Sequence, residues 1–138
     1  QRQMCIRDSG AAVAEKMGQN PEQVFKTLVT KGAGRDYYVF VVPVAEELDL
    51  KKAAKAVNEK SIEMLKSKEL LPLTGYIHGG CSPIGMKKQF KTVIHETAKK
   101  YNTIMFSAGK IGYQVEMNVQ DLSKVIRIEF ADIIKAES

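Results

Sequence analysis

The chain has no tryptophan, and it carries only two cysteines and two histidines among its 138 residues. Cys5 and Cys81 lie far apart in sequence and form no C-x-x-C pair, so the sequence predicts no disulfide framework. This cysteine usage is typical of a reducing compartment, and we expect a cytoplasmic location. No apolar run is long enough to cross a bilayer, and the N-terminus has no signal-peptide pattern.

Common catalytic motifs are missing as well. There is no G-x-x-x-x-G-K-[ST] loop for nucleotide phosphates and no G-x-S-x-G elbow for a serine nucleophile. Besides Cys5 and the carboxylates, the candidate metal ligands are His78, Cys81 and His95, at no spacing typical of a zinc finger. We therefore expect no metal and no other cofactor. A Cys81–His78 or Cys81–His95 dyad stays open, because sequence alone cannot bring a thiolate and an imidazole together.

What the chain does contain is a globular composition with a basic excess. Apolar residues make up 44% of it, and 21 lysines and arginines outnumber 16 acidic residues, for a net charge of +5. A chain of this length can bury a hydrophobic core without disulfide or metal crosslinks. The basic excess favours a polyanionic partner, although a solvated surface can carry the same charge.

The order of predicted elements indicates one domain of mixed class. Residues 1–9, QRQMCIRDS, follow no helical or strand period and resemble a translated sequencing-adapter peptide, so we interpret them as a non-native leader. In residues 10–138, strands and short helices are intermixed, without the helix after every strand of a doubly wound sheet. We predict an α+β fold with a mixed, partly barrel-like β-sheet surrounded by short helices. The apolar strand over 37–44 should be covered on both faces.

Capping residues and apolar periodicity predict the helices. Asp49 precedes a helix with apolar residues at i, i+3, i+4 and i+7, and Asn118 precedes a second one. A helical turn over residues 66–71 is expected to end before Pro72. A short helix over residues 10–18 is expected to end at a glycine.

A lysine within an apolar strand is the first feature that points to chemistry. The segment VFKTLV, residues 24–29, alternates as a strand, so Val24, Lys26 and Leu28 share one face. One interpretation is an edge position from which the Lys26 ammonium reaches water along its aliphatic stem. The other is a cation at the wall of a cleft, where it would bind a phosphate or a carbonyl oxygen.

Two glycine-containing stretches are the other candidates. TGYIHGGCSPIG spans residues 74–85, and SAGKIG spans residues 107–112. Glycine lets the backbone turn sharply and approach a ligand closely, and exposed N–H groups there can hold a carbonyl oxygen or a phosphate. An ordinary tight loop and an ordinary strand connection have the same pattern, so both interpretations stay open.

Taken together, QVFKTLV, LDLKKAAKAV, TGYIHGGCSPIGMKK and SAGKIG, in this order and spacing, resemble the YbaK/EbsC family of Cys-tRNA(Pro) deacylases. That family is related to the editing domain of bacterial prolyl-tRNA synthetases, and the resemblance covers residues 11–134. It implies a trans-editing enzyme that hydrolyses the ester of cysteine mischarged on tRNA(Pro), without a cofactor. It also implies mischarged tRNA(Pro) and prolyl-tRNA synthetase as partners.

The resemblance assigns roles to particular residues. Lys26 matches the family's essential lysine and is implied to be catalytic, by positioning the terminal nucleotide or stabilising developing negative charge. The residues implied to bind substrate are Thr27, Gly79, Gly80, Ser82, Ser107 and Gly109. The thiol of the cysteinyl substrate is implied to attack its own ester, so that no protein nucleophile is needed. Backbone amides of the glycine loop would hold the carbonyl oxygen, and a small pocket would exclude larger amino acids.

The chain departs from the family pattern at several positions. Gln114 stands where some relatives have an aspartate, and His95 stands where an aspartate is common, so no carboxylate role carries over to either residue. Cys81 occupies a variable position, which argues against a nucleophile. The family's first strand should lie upstream of Gly10, where this chain has QRQMCIRDS, so the domain is expected to lack that strand.

Three other functions stay open at this point. The protein could deacylate tRNA(Pro) charged with another small amino acid, such as alanine. It could be a non-catalytic tRNA-binding or synthetase-associated module, although simple phosphate binding would not require a lysine on an apolar strand face. A metal-dependent hydrolase is the remaining enzyme class.

Overall fold

The computed structural model describes residues 5–8, 23–34, 36–77, 81–87, 90–109 and 113–135. The elements of these residues are, in chain order, β1 Cys5–Asp8, β2 Phe25–Gly32, β3 Tyr37–Pro43, α1 Leu50–Ala56, β4 Ile62–Met64, α2 Ser67–Thr74, β5 Lys91–His95, a 3-10 helix Glu96–Lys100, β6 Thr103–Ser107, β7 Tyr113–Asn118, α3 Val119–Val125 and β8 Ile128–Ala131. The helix predicted over residues 10–18 lies outside the described residues. None of the described helices is long and apolar enough to span a membrane.

The strands form two sheets. One has three antiparallel strands in the order β1-β7-β6, and the other has five strands in the order β4-β2-β3-β5-β8. In the larger sheet β2 is antiparallel to β3 and β4, whereas β5 is parallel to β3 and β8. The predicted α+β class with a mixed sheet is therefore confirmed. Neither sheet closes on itself within the described ranges, so the partly barrel-like closure is not confirmed.

A seam joins the two sheets where β2 begins. Val24 and Met105 form an isolated parallel bridge, and both side chains are buried against Val44. The side-chain amide of Gln23 donates to the carbonyl oxygen of Thr103 at 3.0 Å. These contacts set β6 of the smaller sheet alongside the start of β2 of the larger sheet. The two sheets are therefore neighbours at this seam.

The larger sheet is covered on both faces. On its inner face, which we define as the one towards β6 and β7, Val39 and Val41 pack with Phe106. On its outer face, towards α1, Phe40 and Val42 belong to a second core with the alanines of that helix. All four β3 side chains are fully buried, which confirms the prediction made from the continuous apolar run.

The two predicted N-caps are confirmed. The Asp49 carboxylate accepts hydrogen bonds from the backbone N–H groups of Lys51 at 2.9 Å and Lys52 at 3.0 Å. The side-chain oxygen of Asn118 accepts from the N–H of Gln120 at 2.7 Å. Each cap satisfies N–H groups that a helix start leaves unpaired, which typically stabilises a helix by about 1 kcal/mol.

The end of α2 differs from the prediction. This helix runs through Pro72, so the expectation that it ends before that residue is wrong. Pro72 is exposed in the last turn, where water can reach the carbonyl that the missing N–H leaves unpaired. The helix ends instead at Gly75, which has a φ of 88° and donates its N–H to the Leu71 carbonyl at 2.8 Å.

Strand β1 lies within the segment interpreted as a leader. It pairs antiparallel with β7, from Cys5 opposite Glu116 to Asp8 opposite Tyr113. Antiparallel pairing uses backbone groups that every residue except proline carries. The interpretation of residues 1–9 as a non-native leader, and the expected loss of the family's first strand, stay predictions.

The chain after β8 is held against the outer core by a buried histidine. His95 is 3% exposed, and its Nδ1 accepts a hydrogen bond from the backbone N–H of Ile133 at 3.2 Å. Burial lowers the pKa of His95, and this effect outweighs the Asp132 carboxylate 3.9 Å away, which raises it. Only the neutral ring can accept the Ile133 hydrogen bond, so protonation of Nδ1 breaks this contact.

We expect acid to destabilise the fold through His95. Because the pKa of His95 is lowered in the folded protein, the unfolded chain takes up a proton first as the pH falls below about 6.5. The free energy of unfolding should then decrease by at most about 1.4 kcal/mol per pH unit until the folded-state pKa is reached. Urea denaturation at pH 7.5 and 5.5 measures the decrease. The His78→Gln control should retain it, whereas an unchanged decrease in His95→Gln would contradict the assignment.

Candidate active site

Lys26 lies on β2 next to the seam. It is half-buried and stands opposite Val42 in the pairing of β2 with β3. Phe25 and Val29 belong to the inner core and Leu28 packs on the outer core, so strand alternation sets Lys26 on the outer face. β3 pairs with Lys26 on one side, and the isolated bridge at Val24 brings β6 towards its other side. The Lys26 ammonium has no hydrogen-bond or ion-pair partner among the described residues.

Lys26 forms a row with two polar residues of the smaller sheet. Lys26 is two residues after Val24 and Ser107 is two residues after Met105, so the parallel bridge between Val24 and Met105 brings Lys26 and Ser107 to the same end of the seam. Ser107 stands opposite Gln114 in the antiparallel pairing of β6 with β7. Side chains two residues apart on one strand, and side chains directly opposite on paired strands, share a face. Lys26, Ser107 and Gln114 therefore lie side by side across three strands, and we call them the polar row.

The second glycine turn begins at the polar row. The Ser107 hydroxyl oxygen accepts a hydrogen bond from the N–H of Gly109 at 3.1 Å. Gly109 has a φ of 97°, a backbone conformation that residues other than glycine rarely adopt. The turn thus uses up the N–H of Gly109, while the O–H proton of Ser107 donates to no residue that the structure describes.

Tyr76 joins the two glycine turns. Its hydroxyl donates to the carbonyl oxygen of Ile84 at 2.6 Å. A Cβ at Gly85 would lie 2.7 Å from the Tyr76 hydroxyl oxygen, and a Cβ at Gly109 would lie 2.7 Å from Cε1 of its ring. The phenol ring therefore occupies the space that side chains at these two glycines would need, and it packs the first turn against the second.

The segment that leads into the first turn is shaped by hydroxyl groups. Thr74 is buried, and its hydroxyl donates to the Leu70 carbonyl at 2.8 Å and accepts from the Tyr76 N–H at 3.1 Å. Ser82 is 1% exposed, and its hydroxyl oxygen accepts from the Ile84 N–H at 3.3 Å. The substrate-binding role of Ser82 stays a prediction, and its hydroxyl serves the geometry of the turn.

Thr27 does not join the polar row. Strand alternation turns it to the inner face with Phe25 and Val29, the face opposite to that of Lys26. Its hydroxyl oxygen is buried and has no hydrogen-bond partner among the described residues. The predicted substrate-binding role of Thr27 stays a prediction, as do those of Gly79 and Gly80, which lie outside the described residues.

The Cys81–His95 dyad is wrong. Cys81 is buried in the inner core, whereas His95 makes its hydrogen bond to Ile133 of the outer core, on the other side of the sheet. Burial raises the pKa of Cys81 to about 12, so the thiol stays protonated at neutral pH. His78 lies outside the described residues. Within the described ranges no group of three or more His, Cys, Asp or Glu side chains could hold a metal ion.

Sequence reasoning missed two residues of this site. Tyr76 stands in the motif TGY, but the motif was interpreted through its glycines alone; the available signal was a large aromatic side chain between glycines that leave space for it. Gln114 was considered only as a departure from an aspartate. The structure shows that Gln114 is buried and that the pairing of β6 with β7 sets it beside Ser107.

The sequence of this chain matches a known class of domain. The family model of the aminoacyl-tRNA editing domain matches residues 6–125. This chain belongs to that family. It is also 48% identical, over 129 residues, to the Enterococcus faecalis protein named "Putative Cys-tRNA(Pro)/Cys-tRNA(Cys) deacylase EbsC", and the match covers 94% of this chain and 79% of that protein. The resemblance to the YbaK/EbsC family is therefore confirmed.

Solved structures share the fold. The crystal structure described as that of "a putative trans-editing enzyme for prolyl tRNA synthetase" superposes with a TM-score of 0.84 at 22% identity, covering 96% of this chain and 87% of that one. The crystal structure of hypothetical protein APE2540 superposes with a TM-score of 0.85 at 18% identity, covering 98% of this chain and 92% of that one. At these identities the likeness establishes the fold alone.

We expect Cys81 to be unreactive in the folded protein. With a pKa of about 12 instead of 9.0, its thiolate fraction at pH 8 falls by about three orders of magnitude. Alkylation by iodoacetamide, followed by mass spectrometry in a Cys5→Ser background, should be at least about a hundredfold slower in native buffer than in urea. Equal rates in both conditions would show an accessible thiol and reopen the nucleophile interpretation.

We expect Gly85→Ala and Gly109→Ala each to lower the free energy of unfolding by about 2 kcal/mol or more, through a positive φ and a collision with Tyr76. Gly34→Ala is the control, since its Cβ would come no closer than 3.7 Å to another residue, and it should cost less than about 0.5 kcal/mol. In a Tyr76→Ala background, Gly109→Ala should lower the free energy of unfolding by less than it does in the wild-type background. Urea denaturation of the set measures these differences, and equal costs at all three glycines would refute the packing of Tyr76 between the turns.

Proposed function

We propose that this protein is a trans-editing deacylase that hydrolyses the ester between cysteine and the 3′-terminal adenosine of tRNA(Pro). The substrate is supported by the 48% identical relative from Enterococcus faecalis, whose name gives Cys-tRNA(Pro) and Cys-tRNA(Cys). The observation that carries the chemistry is Lys26, a half-buried cation on an apolar strand with no partner among the described residues. Such a group is available to bind substrate, whereas a structural lysine is usually paired or solvated.

The reaction in this proposal uses the thiol of the substrate. The cysteinyl sulfur attacks its own ester carbonyl carbon, so that a C–S bond forms while the C–O bond to the ribose breaks. The thiol proton passes to the departing ribose oxygen, which leaves tRNA with a free hydroxyl and cysteine as a β-thiolactone. Water then adds to the thiolactone and opens it to free cysteine. No protein nucleophile is required, in keeping with the buried and protonated Cys81.

Lys26 stabilises negative charge in this scheme. As the sulfur adds, negative charge develops on the carbonyl oxygen, and a fixed cation close to that oxygen lowers the barrier without reorganising during the reaction. An alternative role within the same proposal is a bond to the phosphate of the terminal nucleotide, which orients the ester. Both roles use an ammonium, which is a compact point charge with three donors.

The glycine turns supply the rest of the site. The N–H of Gly109 is already bonded to Ser107, so the amides of Gly79 and Gly80 are the candidates for holding the carbonyl oxygen. Ser107 can donate its O–H proton to the substrate from the centre of the polar row. A small pocket that excludes larger amino acids, a cytoplasmic location, and prolyl-tRNA synthetase as the source of the mischarged tRNA(Pro) complete the proposal.

We expect Lys26→Ala to lower the single-turnover rate of Cys-tRNA(Pro) deacylation by about a hundredfold or more, because one group that stabilises an oxyanion contributes about that much. Lys26→Arg should fail as well, since a planar guanidinium does not replace a compact ammonium. Lys31→Ala is the matched control, because Lys31 is another half-buried lysine of β2 near the far end of the strand.

The measurement is the release of cysteine from Cys-tRNA(Pro), with circular dichroism to verify folding. Parallel assays with Ala-tRNA(Pro) and Cys-tRNA(Cys), with and without chelator, test the substrate range and the metal-dependent alternative. Lys31→Ala should deacylate Cys-tRNA(Pro) at a rate within a few-fold of wild type. If a folded Lys26→Ala protein also reaches a rate within a few-fold of wild type, the proposed role of Lys26 is refuted.

A further inference from the structure

Gln114 carries a buried hydrogen-bond acceptor that the fold leaves unused. The residue is 8% exposed, and its side-chain oxygen Oε1 has no hydrogen-bond partner among the described residues. A buried polar atom without a partner has lost its hydrogen bonds to water and formed none with the protein, and this desolvation lowers the free energy of unfolding. Such atoms are rare, and a ligand that supplies the missing donor is one explanation for their presence.

The neighbours of Gln114 make a simple packing defect a poor explanation. Glu116 is two residues further along the same face of β7, and its carboxylate accepts from the Thr103 hydroxyl at 2.7 Å. On this face of the smaller sheet an acceptor of the same side-chain length is therefore satisfied by the fold itself. Gln114 stands opposite Ser107 of β6 and opposite Arg7 of β1. The Ser107 hydroxyl oxygen accepts from the N–H of Gly109, and its O–H proton does not reach Gln114 Oε1, which has no hydrogen-bond partner among the described residues. The unused acceptor thus coincides with the polar row.

The row has an ordered chemistry from one end to the other. Lys26 is a cationic donor, Ser107 carries a hydroxyl proton that is free among the described residues, and Gln114 is an acceptor. Neighbouring strands lie about 4.8 Å apart, so the Cα atoms at the two ends of the row are roughly 10 Å from each other. A ligand held here would direct an acceptor or negative charge towards Lys26 and a donor towards Gln114.

An aminoacyl ester has this arrangement of groups. Its carbonyl oxygen accepts hydrogen bonds and becomes negative during attack, and its α-ammonium, attached to the next carbon, is its strongest donor. We propose that Gln114 Oε1 binds the α-ammonium of the aminoacyl group and so orients the ester across the polar row. This inference rests on the proposed function and adds a residue and a contact to it.

A neutral amide suits this task. An isolated carboxylate at a buried site is disfavoured in its charged form, so it tends to take up a proton and become a donor. An amide oxygen remains an acceptor at every pH, and a hydrogen bond to a charged donor is stronger than one between neutral groups. Gln114 is a positioning residue in this scheme, because it holds the reacting ester in place and exchanges no proton with it.

The test removes the ammonium and the acceptor separately. One substrate is Cys-tRNA(Pro), and the other is tRNA(Pro) acylated with 3-mercaptopropionic acid, which keeps the thiol and the ester but has no amino group. The proteins are wild type, Gln114→Leu and the control Gln120→Leu, a glutamine exposed on α3. Gln114→Met is a second variant of similar length and shape. The readout is kcat/KM for each ester, corrected for hydrolysis without enzyme.

We expect Gln114→Leu and Gln114→Met to lower kcat/KM for Cys-tRNA(Pro) by about ten- to a hundredfold, the range of a hydrogen bond to a charged group. Neither variant should change kcat/KM for the mercaptopropionyl ester by more than about threefold. Gln120→Leu should match wild type on both esters. Because the variants remove an unsatisfied buried oxygen, their thermal stability should equal or exceed that of wild type.

The results separate the inference from the proposed function. Equal losses on both esters would assign Gln114 to the fold or to another part of the substrate, and no loss on either would leave its oxygen unused; both results overturn the inference alone. If wild type cleaves neither ester, the proposed function fails and this inference fails with it. A loss confined to the ester with an amino group supports both.

Discussion

The register at the seam between the two sheets is the constraint on which the candidate site depends. One parallel bridge, between Val24 and Met105, sets which residues of β2 and β6 stand side by side. Side chains alternate along a strand, so a shift by one residue would turn Lys26 to the inner face and away from Ser107. The buried side chains of Phe25 and Val29 on β2 oppose such a shift, because it would turn them out of the inner core. The hydrophobic core thus fixes the position of a charged group whose ammonium has no hydrogen-bond or ion-pair partner among the described residues.

Local sequence patterns predicted most of the fold. Alternation located β2, a continuous apolar run located β3, and Asp49 and Asn118 marked the starts of two helices, because caps and strand patterns act over a few residues. The passage of α2 through Pro72 was missed because the cost of a proline depends on whether water reaches the carbonyl it leaves unpaired. The pairing of β6 with β2 was missed because it joins residues far apart in sequence, for which local periodicity carries no information.

The candidate site was predicted less completely, for a related reason. Family resemblance identified Lys26 and Ser107, which the parallel bridge brings to the same end of the seam. It also identified Thr27, which the pleat of β2 turns to the opposite face. Tyr76 and Gln114 have roles that depend on what lies opposite them, a glycine Cα in one case and a missing donor in the other. The sequence gives the identity of each side chain, but it shows neither the space above a glycine nor the absence of a hydrogen-bond donor.

The packing of Tyr76 has a consequence for how this protein can change in evolution. One ring fills the space above Gly85 and Gly109, so each glycine is constrained by the ring and the ring is held between the two glycines. A smaller residue in place of the tyrosine would leave a void that neither turn can fill, and a side chain at either glycine would require the ring to leave first. Single-step substitutions at these positions therefore pass through an unfavourable intermediate. Across an alignment of relatives, the three positions should be retained together or replaced together, as a unit of inheritance spread over two loops.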